Sequence, residues 1–321
     1  MPEIFNDMNK CGVISKTKWF NNDEYKLKTE ESMNSIFGKN DSKKIVESGC
    51  EVNVSNELPS VRENKLKDED KPKINGQIED FRQSFTVGDC WLLASIKSLS
   101  QYEDGKKIIK NMILQDDDGN VTVKLAGGKE GLREMYISAD ELKNTHGLSM
   151  LDDDVKAIEM AVRRYRKLYL IEKLKDEDVD LDSFSRTIPV GDGGNPVEAL
   201  ALITGKSPYE ITPFYENKRN LEKGKMYDLD KIKETFATAK DRPTVLSLAY
   251  DRVYDFVTKV SVGTKDLNVN HAYSVVGVRD NMLQLRDPHR TATLIEVSLE
   301  DFAKLVSMDD NLTAYMEYVD L

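Results

Sequence analysis

The apolar positions of this chain follow two rhythms, with the change near residue 226. From Gly88 onward Leu92, Leu93, Ile96 and Leu99 recur at helical spacing and predict a helix with one apolar stripe, starting near Gly88 or Asp89. NMILQ, DDDGN and VTVKL (111–125) read as two strands around an Asp-Gly turn. A second helix is predicted over about 152–170, where Val155, Ile158, Ala161 and Val162 recur and basic residues fill the other face. GDGGNPVEALALITG (191–205) reads as a glycine loop, a proline near a helix start, an apolar helix and a glycine stop. Beyond residue 226 the period shortens. TVLSLAY (244–250), HAYSVVGV (271–278) and MLQLRD (282–287) are strand-like, and LEDFAKLV (299–306) predicts one short helix.

This order predicts an α+β protein with a helix-rich part over 76–225 and a β-rich part over 226–321. Residues 1–75 are different: Asn, Lys, Glu, Asp and Ser dominate and apolar positions are scattered. The run ELPSVRENKLKDEDKPKINGQ (57–77) offers almost nothing to bury and reads as a linker or exposed arm. The arm is expected to be a loose tail, with a pro-segment or blocking arm as the functional alternative.

Composition narrows the function classes. The 321 residues are 39% hydrophobic and 32% charged, as expected for a globular protein with a very polar surface, and the length admits one large domain or two. A net charge of −11 argues against a nucleic-acid face. Arg163, Arg164, Arg166 and Lys167 cluster, but on a predicted helix with acidic neighbours, where a solvated face is the simpler reading. Cys11, Cys50 and Cys90 are odd in number and lack CxxC spacing, so neither a disulfide framework nor a zinc cage is signalled. No secretory signal and no run of about 18 apolar residues is evident, so no membrane span and a reducing, cytoplasmic setting are the default expectations.

Two motifs fail on their spacing. ITGKS (203–207) ends like a phosphate loop, but Leu200 stands where the first glycine is needed. DEDVDLD (176–182) begins like a calcium loop, yet lacks the turn glycine and has Thr187 where the bidentate Glu belongs.

Cys90 is the more promising group. In the first turn of its helix, free N–H groups and the positive end of the dipole favour an anion. With a cation nearby, such a location lowers a thiol pKa from about 8.5 to roughly 3.5–7.5, and the same N–H groups suit an oxyanion. A thiolate of this kind needs a histidine, and the chain has His146, His271 and His289. His146 reads as a loop residue. His271 opens a strand whose hairpin partner, joined through Arg279–Met282, ends at Asp287. A two-residue turn pairs 274 with 287; a one-step slip pairs 273 with 287, and only the slip puts Asp287 on the face of His271. The sequence leaves that register open. Alone, Cys90 reads as a core thiol; together, Cys90, His271 and Asp287 form a nucleophile–base–orienter set.

The residues also carry a resemblance. QSFTVGDCWLLASI is similar to the active-site segment of the calpain family of papain-fold cysteine proteases, HAYSVVGV resembles that family's catalytic histidine strand, and LQLRDPHR is similar to its Leu-Arg-Asn-Pro-Trp-Gly segment. Weaker likenesses lie in the 152–170 helix with GGNPVEALALITG and in SLEDF (298–302). The resemblance spans about residues 76–310 and leaves 1–75 unexplained. It implies a two-lobed cysteine endopeptidase acting on protein or peptide substrates, with Cys90 as nucleophile, His271 as base and then acid, Asp287 as orienter and Gln83 as side-chain oxyanion donor. It requires no cofactor, though calcium in each lobe is a family trait, and Asp80 and Asp152 fall near such positions. No penta-EF-hand or C2-like domain is evident.

Departures from the family pattern are specific. Gln83 precedes Cys90 by seven positions where the family has six. Asp287 replaces Asn, and the loop from His271 to Asp287 is shorter than in animal calpains. His289 replaces the Trp that lids the orienter; it is the runner-up base and reads as a rim residue. Two other readings stay open: a transglutaminase-type acyltransferase, which also uses Cys-His-Asp, and a non-enzymatic interaction module on a protease fold.

Overall fold

The computed structural model describes residues 69, 71–85, 87–174, 193–211, 229–250, 259–309 and 312–321. Contacts divide the chain into units over Pro2–Lys65 and Leu66–Leu321, and every described residue belongs to the second. Cys11, Cys50, the acidic run 176–182 and the arm up to residue 68 lie outside the described residues.

The described chain is α+β. The first elements are α1 (Cys90–Leu99), α2 (Glu103–Met112), β1 (Ile113–Gln115), β2 (Val121–Lys124), β3 (Glu134–Ile137) and α3 (Ala139–Asn144). They are followed by α4 (Asp153–Leu174), α5 (Pro196–Thr204), β4 (Tyr209–Ile211) and α6 (Leu229–Ala237). Strands β5 (Thr244–Tyr250), β6 (Lys259–Val262), β7 (Lys265–Asn268), β8 (His271–Arg279), β9 (Met282–Arg286) and β10 (Leu294–Ser298), then α7 (Leu299–Met308) and β11 (Leu312–Tyr318), complete it. Strands β1–β3 form a small antiparallel sheet, β6 and β7 pair with each other, and a six-stranded antiparallel sheet runs β10-β9-β8-β5-β11-β4.

Local chemistry sets the helix ends. Asn195 caps α5 by accepting the Val197 N–H, Pro196 fills the first turn, and Gly205 closes the helix in the left-handed region at φ 69°. Ser138 and Ser298 cap α3 and α7 in the same way. The predicted strand at 111–115 is shorter than expected, because Asn111 and Met112 finish α2. Its periodicity continues the buried face of Ile109 and Met112, and a five-residue window cannot separate that from a strand.

Two hydrophobic clusters organise the interior. One gathers α1, α2, α4, α5 and β1–β3, together with Val319 from the C-terminus. The other packs α6 and α7 on the six-stranded sheet, with Phe236 and Phe302 edge to face at 5.9 Å. Helix α1 belongs to both sides. Its Leu92, Leu93, Ile96 and Leu99 enter the first cluster, while Ala94 meets Val245 and Ala272 of the sheet. Ser98 Oγ donates to Thr244 O (3.0 Å), and Gln101 Nε2 donates to Ser274 Oγ (2.6 Å). Every residue from Trp91 to Leu99 is therefore buried, where the sequence pattern predicts a single stripe. Burial of each large apolar side chain is worth about 1.5–3 kcal/mol, so α1 is fixed along β5 and β8 with its N-terminus near the start of β8.

Residues 71–79, which composition reads as the end of a linker, are fastened to the head of α4. Asp153 accepts the Lys73 N–H (2.8 Å), Asp154 accepts those of Asn75 (3.1 Å) and Gly76 (2.9 Å), and Asp152 accepts that of Glu79 (2.8 Å). The acids at the helix N-terminus thus satisfy an extended backbone while facing the positive end of the dipole. Among the described residues no helix is long and apolar enough to cross a membrane.

Candidate active site

Cys90 is the first residue of α1, half-buried, with its thiol free. The N–H groups of Leu92 and Leu93 bond Asp89 O at 3.0 and 3.1 Å, so those of Cys90 and Trp91 have no acceptor within the helix. His271 starts β8 and lies beside Cys90, close enough for the two groups to interact electrostatically. Asp287 follows β9 and heads a short 3-10 turn, Pro288–Arg290. Its Oδ1 lies 2.9 Å from His271 Nε2. A carboxylate only accepts, so Nε2 carries a proton and Nδ1 is left for Cys90.

A bulge brings His271 and Asp287 to one face. The hairpin turns through Asp280 and Asn281, both in the left-handed region at φ 52° and 61°, and Arg279 pairs with Met282. That two-residue turn starts the register that would put 274 opposite 287. Between Val275 and Gly277 the ladder shifts by one residue, so that Val275 faces Leu285 and Ser274 faces Arg286. The shift carries position 273 opposite 287 and leaves His271, Tyr273 and Asp287 on the same side of the ribbon.

The electrostatics follow from this contact. Burial opposes charge on the His271 imidazole, but the hydrogen bonds to Asp287 and Cys90, and the charges of both, outweigh it and hold His271 up at about 9. Burial pushes the Asp287 carboxyl upward, yet hydrogen bonds from His271 and His289 and the His271 charge keep it well below the usual carboxylate range. Asn268 Nδ2 donates to Asp287 Oδ2 at 3.2 Å. The Asn268 backbone is held in turn by the Tyr273 hydroxyl, which accepts its N–H (2.6 Å) and donates to its carbonyl (3.2 Å).

His289, expected at the rim, is part of this group. Its Nδ1 and its backbone N–H reach Asp287 Oδ1 at 3.0 and 2.8 Å. Its ring stacks on His271 at 4.9 Å, and Phe85 covers its other face at 5.0 Å. The stack covers the Asp287 carboxylate. Nothing in the spacing of a lone Phe and a lone His signals it. His146 is exposed in the turn after α3.

Gln83 is buried in the loop before α1. It donates one Nε2 hydrogen to Val87 O (2.9 Å), which leaves the other, and its backbone N–H bonds Pro288 O at 2.9 Å. Thr291 Oγ1 bonds both Phe81 N (2.9 Å) and Phe81 O (2.8 Å), so segment 81–83 is tied to the turn bearing Asp287 and His289. On the other side, Gly193 N–H bonds Gly88 O at 2.8 Å, and Gly194 presses so closely on Trp91 that a Cβ would lie 2.3 Å from the indole. Arg166 lies over the same indole at 4.8 Å.

Asp80 and Asp152, the calcium candidates, both make contacts within the protein. Asp80 Oδ1 pairs with the Lys97 ammonium at 3.1 Å, which also donates to Glu79 O at 3.2 Å. Both Asp152 oxygens accept backbone N–H groups, of Glu79 and Val155. Each carboxylate keeps further acceptor capacity beyond these contacts.

Asp89, beside Cys90, is unexpected. It is 3% exposed, gives no side-chain cap to α1, and neither carboxyl oxygen has a donor. It faces Glu159 of α4, whose Oε2 takes the Ser149 N–H (2.9 Å) and hydroxyl (2.6 Å). Burial first, and the neighbouring Glu159 second, push Asp89 up to about 9. Burial and the neighbouring carboxyl thus favour the protonated form of Asp89. A scan of the chain against protein-family models finds no match, and neither does a search among curated proteins.

Proposed function

We propose that the chain is a papain-like, two-lobed cysteine endopeptidase of the calpain type. The reading is carried by one observation: a cysteine at the first position of a buried helix lies beside a histidine, one ring nitrogen of which meets a buried carboxylate. In this reading the sulfur attacks as a thiolate beside the His271 imidazolium and forms a bond to the carbonyl carbon of a peptide. The carbonyl oxygen becomes an oxyanion, which the Cys90 N–H and the remaining Gln83 Nε2 hydrogen receive. His271 then gives its Nδ1 proton to the departing amine as the C–N bond breaks, leaving a thioester. Water attacks the thioester as His271 takes its proton, and the acid leaves with the thiolate restored. Asp287 keeps Nε2–H in place throughout, so that Nδ1 faces the sulfur.

Hydrolysis of casein by purified protein tests this. Cys90→Ala and His271→Ala are expected to lose all measurable cleavage with the fold retained, and Asp287→Ala to retain a residue of it. Wild-type rates from Cys90→Ala would end the reading. The carboxylate in place of an amide orienter also suits a transglutaminase-type acyltransferase; incorporation of a labelled amine without peptide cleavage would select that alternative.

A further inference from the structure

The Asp287 carboxylate accepts more hydrogen bonds than the orientation of one imidazole requires. Its Oδ1 meets His271 Nε2 at 2.9 Å, His289 Nδ1 at 3.0 Å and the His289 backbone N–H at 2.8 Å, while Oδ2 accepts Asn268 Nδ2 at 3.2 Å. A carboxylate only accepts, so His289 Nδ1 carries a proton, as His271 Nε2 does. The His289 ring also lies on His271, 4.9 Å away and 18° from parallel, with Phe85 stacked on its outer face at 5.0 Å. Tyr273 meets the His271 ring edge on at 4.9 Å. Among the described residues the groups that face His271 are therefore Cys90 from α1, Asp287 and His289 from the 3-10 turn, and Tyr273 from its own strand.

A buried carboxylate acting alone on an imidazole favours the imidazolium so strongly that the ring becomes a poor acid. In the proposed reaction, however, His271 must give a proton to the departing amine. Each further donor on Oδ1 takes up part of the negative charge and weakens its pull on His271 Nε2–H. We propose that His289 is a positioning residue: it tempers the Asp287 carboxylate and fixes the His271 ring, so that Asp287 orients the imidazole without making its imidazolium too weak an acid. Its Nδ1–H shares Oδ1 with His271 Nε2–H, and its ring bars rotation of His271 out of the plane in which Nδ1 faces the sulfur. The positioning stands without the peptidase reading; the consequence for proton donation rests on it.

The chain has 3 histidines, so isotope-labelled histidine in full-length Cys90→Ala protein resolves each ring by NMR. When both rings are neutral, His289 is expected to carry its proton on Nδ1 and His271 on Nε2. In Cys90→Ala/His289→Phe, which keeps a stacked ring and loses the donor, the His271 titration midpoint should rise by about one pH unit, with the circular-dichroism melt unchanged. With Cys90 present, His289→Phe should lower kcat on a peptide amide about three- to tenfold with KM little changed, and should slow an ester of the same acyl group less, because an alcohol leaves with less help from the acid. A His289 proton on Nε2 instead of Nδ1, or an unchanged His271 midpoint in the Phe variant, overturns the positioning role; the first is read without any substitution at 289 and decides even if that variant fails to fold. Equal losses on amide and ester overturn the effect on proton donation. A wild type without hydrolytic activity ends the peptidase reading and leaves the ring measurements decisive for His289.

Discussion

Asp89→Asn tests whether the acid next to the nucleophile is neutral. In the native state burial and the neighbouring Glu159 hold the Asp89 carboxyl up at about 9, whereas an unfolded Asp titrates near 3.8. Between those values the native state binds one proton more than the unfolded state. Wild-type stability from this source is therefore fully present below pH 4 and falls as pH rises, by about 1.4 kcal/mol per unit. From 3.8 to pH 7 the loss amounts to about 4 kcal/mol at most. Asn is isosteric, carries no such proton and forfeits no cap, since Asp89 makes none. Urea unfolding at pH 5, 6, 7 and 8 should show Asp89→Asn gaining on the wild type at every step, by about 3–4 kcal/mol in all. A gap that stays constant within about 0.5 kcal/mol over that range, close to the error of extrapolated stabilities, would mean that Asp89 is ionised in the fold, and the reasoning would fail.

Further perturbations reach the same site from other sides. Gly194→Ala drives a Cβ into the Trp91 indole at 2.3 Å and should cost about 1–3 kcal/mol by overpacking; an unchanged thermal midpoint would contradict the close approach. Tyr273→Phe leaves the Asn268 N–H and carbonyl without their hydroxyl partner, for a loss of about 1–3 kcal/mol in urea unfolding; a loss below about 0.5 kcal/mol, the scale of a neutral surface change, would mean that water replaces the hydroxyl. Because Lys97 already neutralises Asp80, adding Ca2+ to chelator-treated protein should leave casein cleavage unchanged, and a several-fold rise would refute that assignment.

Much of the fold is legible because strong local signals agree with the tertiary outcome. Asn195, Pro196 and Gly205 bracket α5 by their backbone preferences alone, and the alternation in 282–286 matches a strand with one face on a core. Helices α2, α3 and α6 and the strands β3, β4, β6, β7, β10 and β11 are absent from the sequence reading. Several are short, and their partners are distant: Tyr209–Ile211 pairs with Met316–Tyr318, across a hundred residues. Pairing of that kind is decided by the cluster it completes, not by local pattern. The all-round burial of α1 has the same origin, since Lys97 and Ser98 look solvent-facing until their partners Glu79, Asp80 and Thr244 are in place.

In the site the residue types were legible and their geometry was not, and the hairpin shows why. Composition names Cys90, His271 and Asp287 as chemically capable, but face is a matter of parity. Counted inward from an Asp280–Asn281 turn, a regular ladder sets Asp287 on the side opposite His271. A single extra residue at Val276, opposite Gln284 together with Gly277, reverses that for everything beyond it. The bulge therefore does what no substitution in the three functional residues can do, and it reads in the sequence only as Val-Val-Gly in a strand. His289 obeys the same logic at shorter range. Two residues past Asp287, in the 3-10 turn that Asp287 itself caps, its ring is turned back over the carboxylate. The parity that brings His271 to Asp287 thus also gathers His289 at the same carboxylate, and the contacts of all three side chains depend on one backbone irregularity.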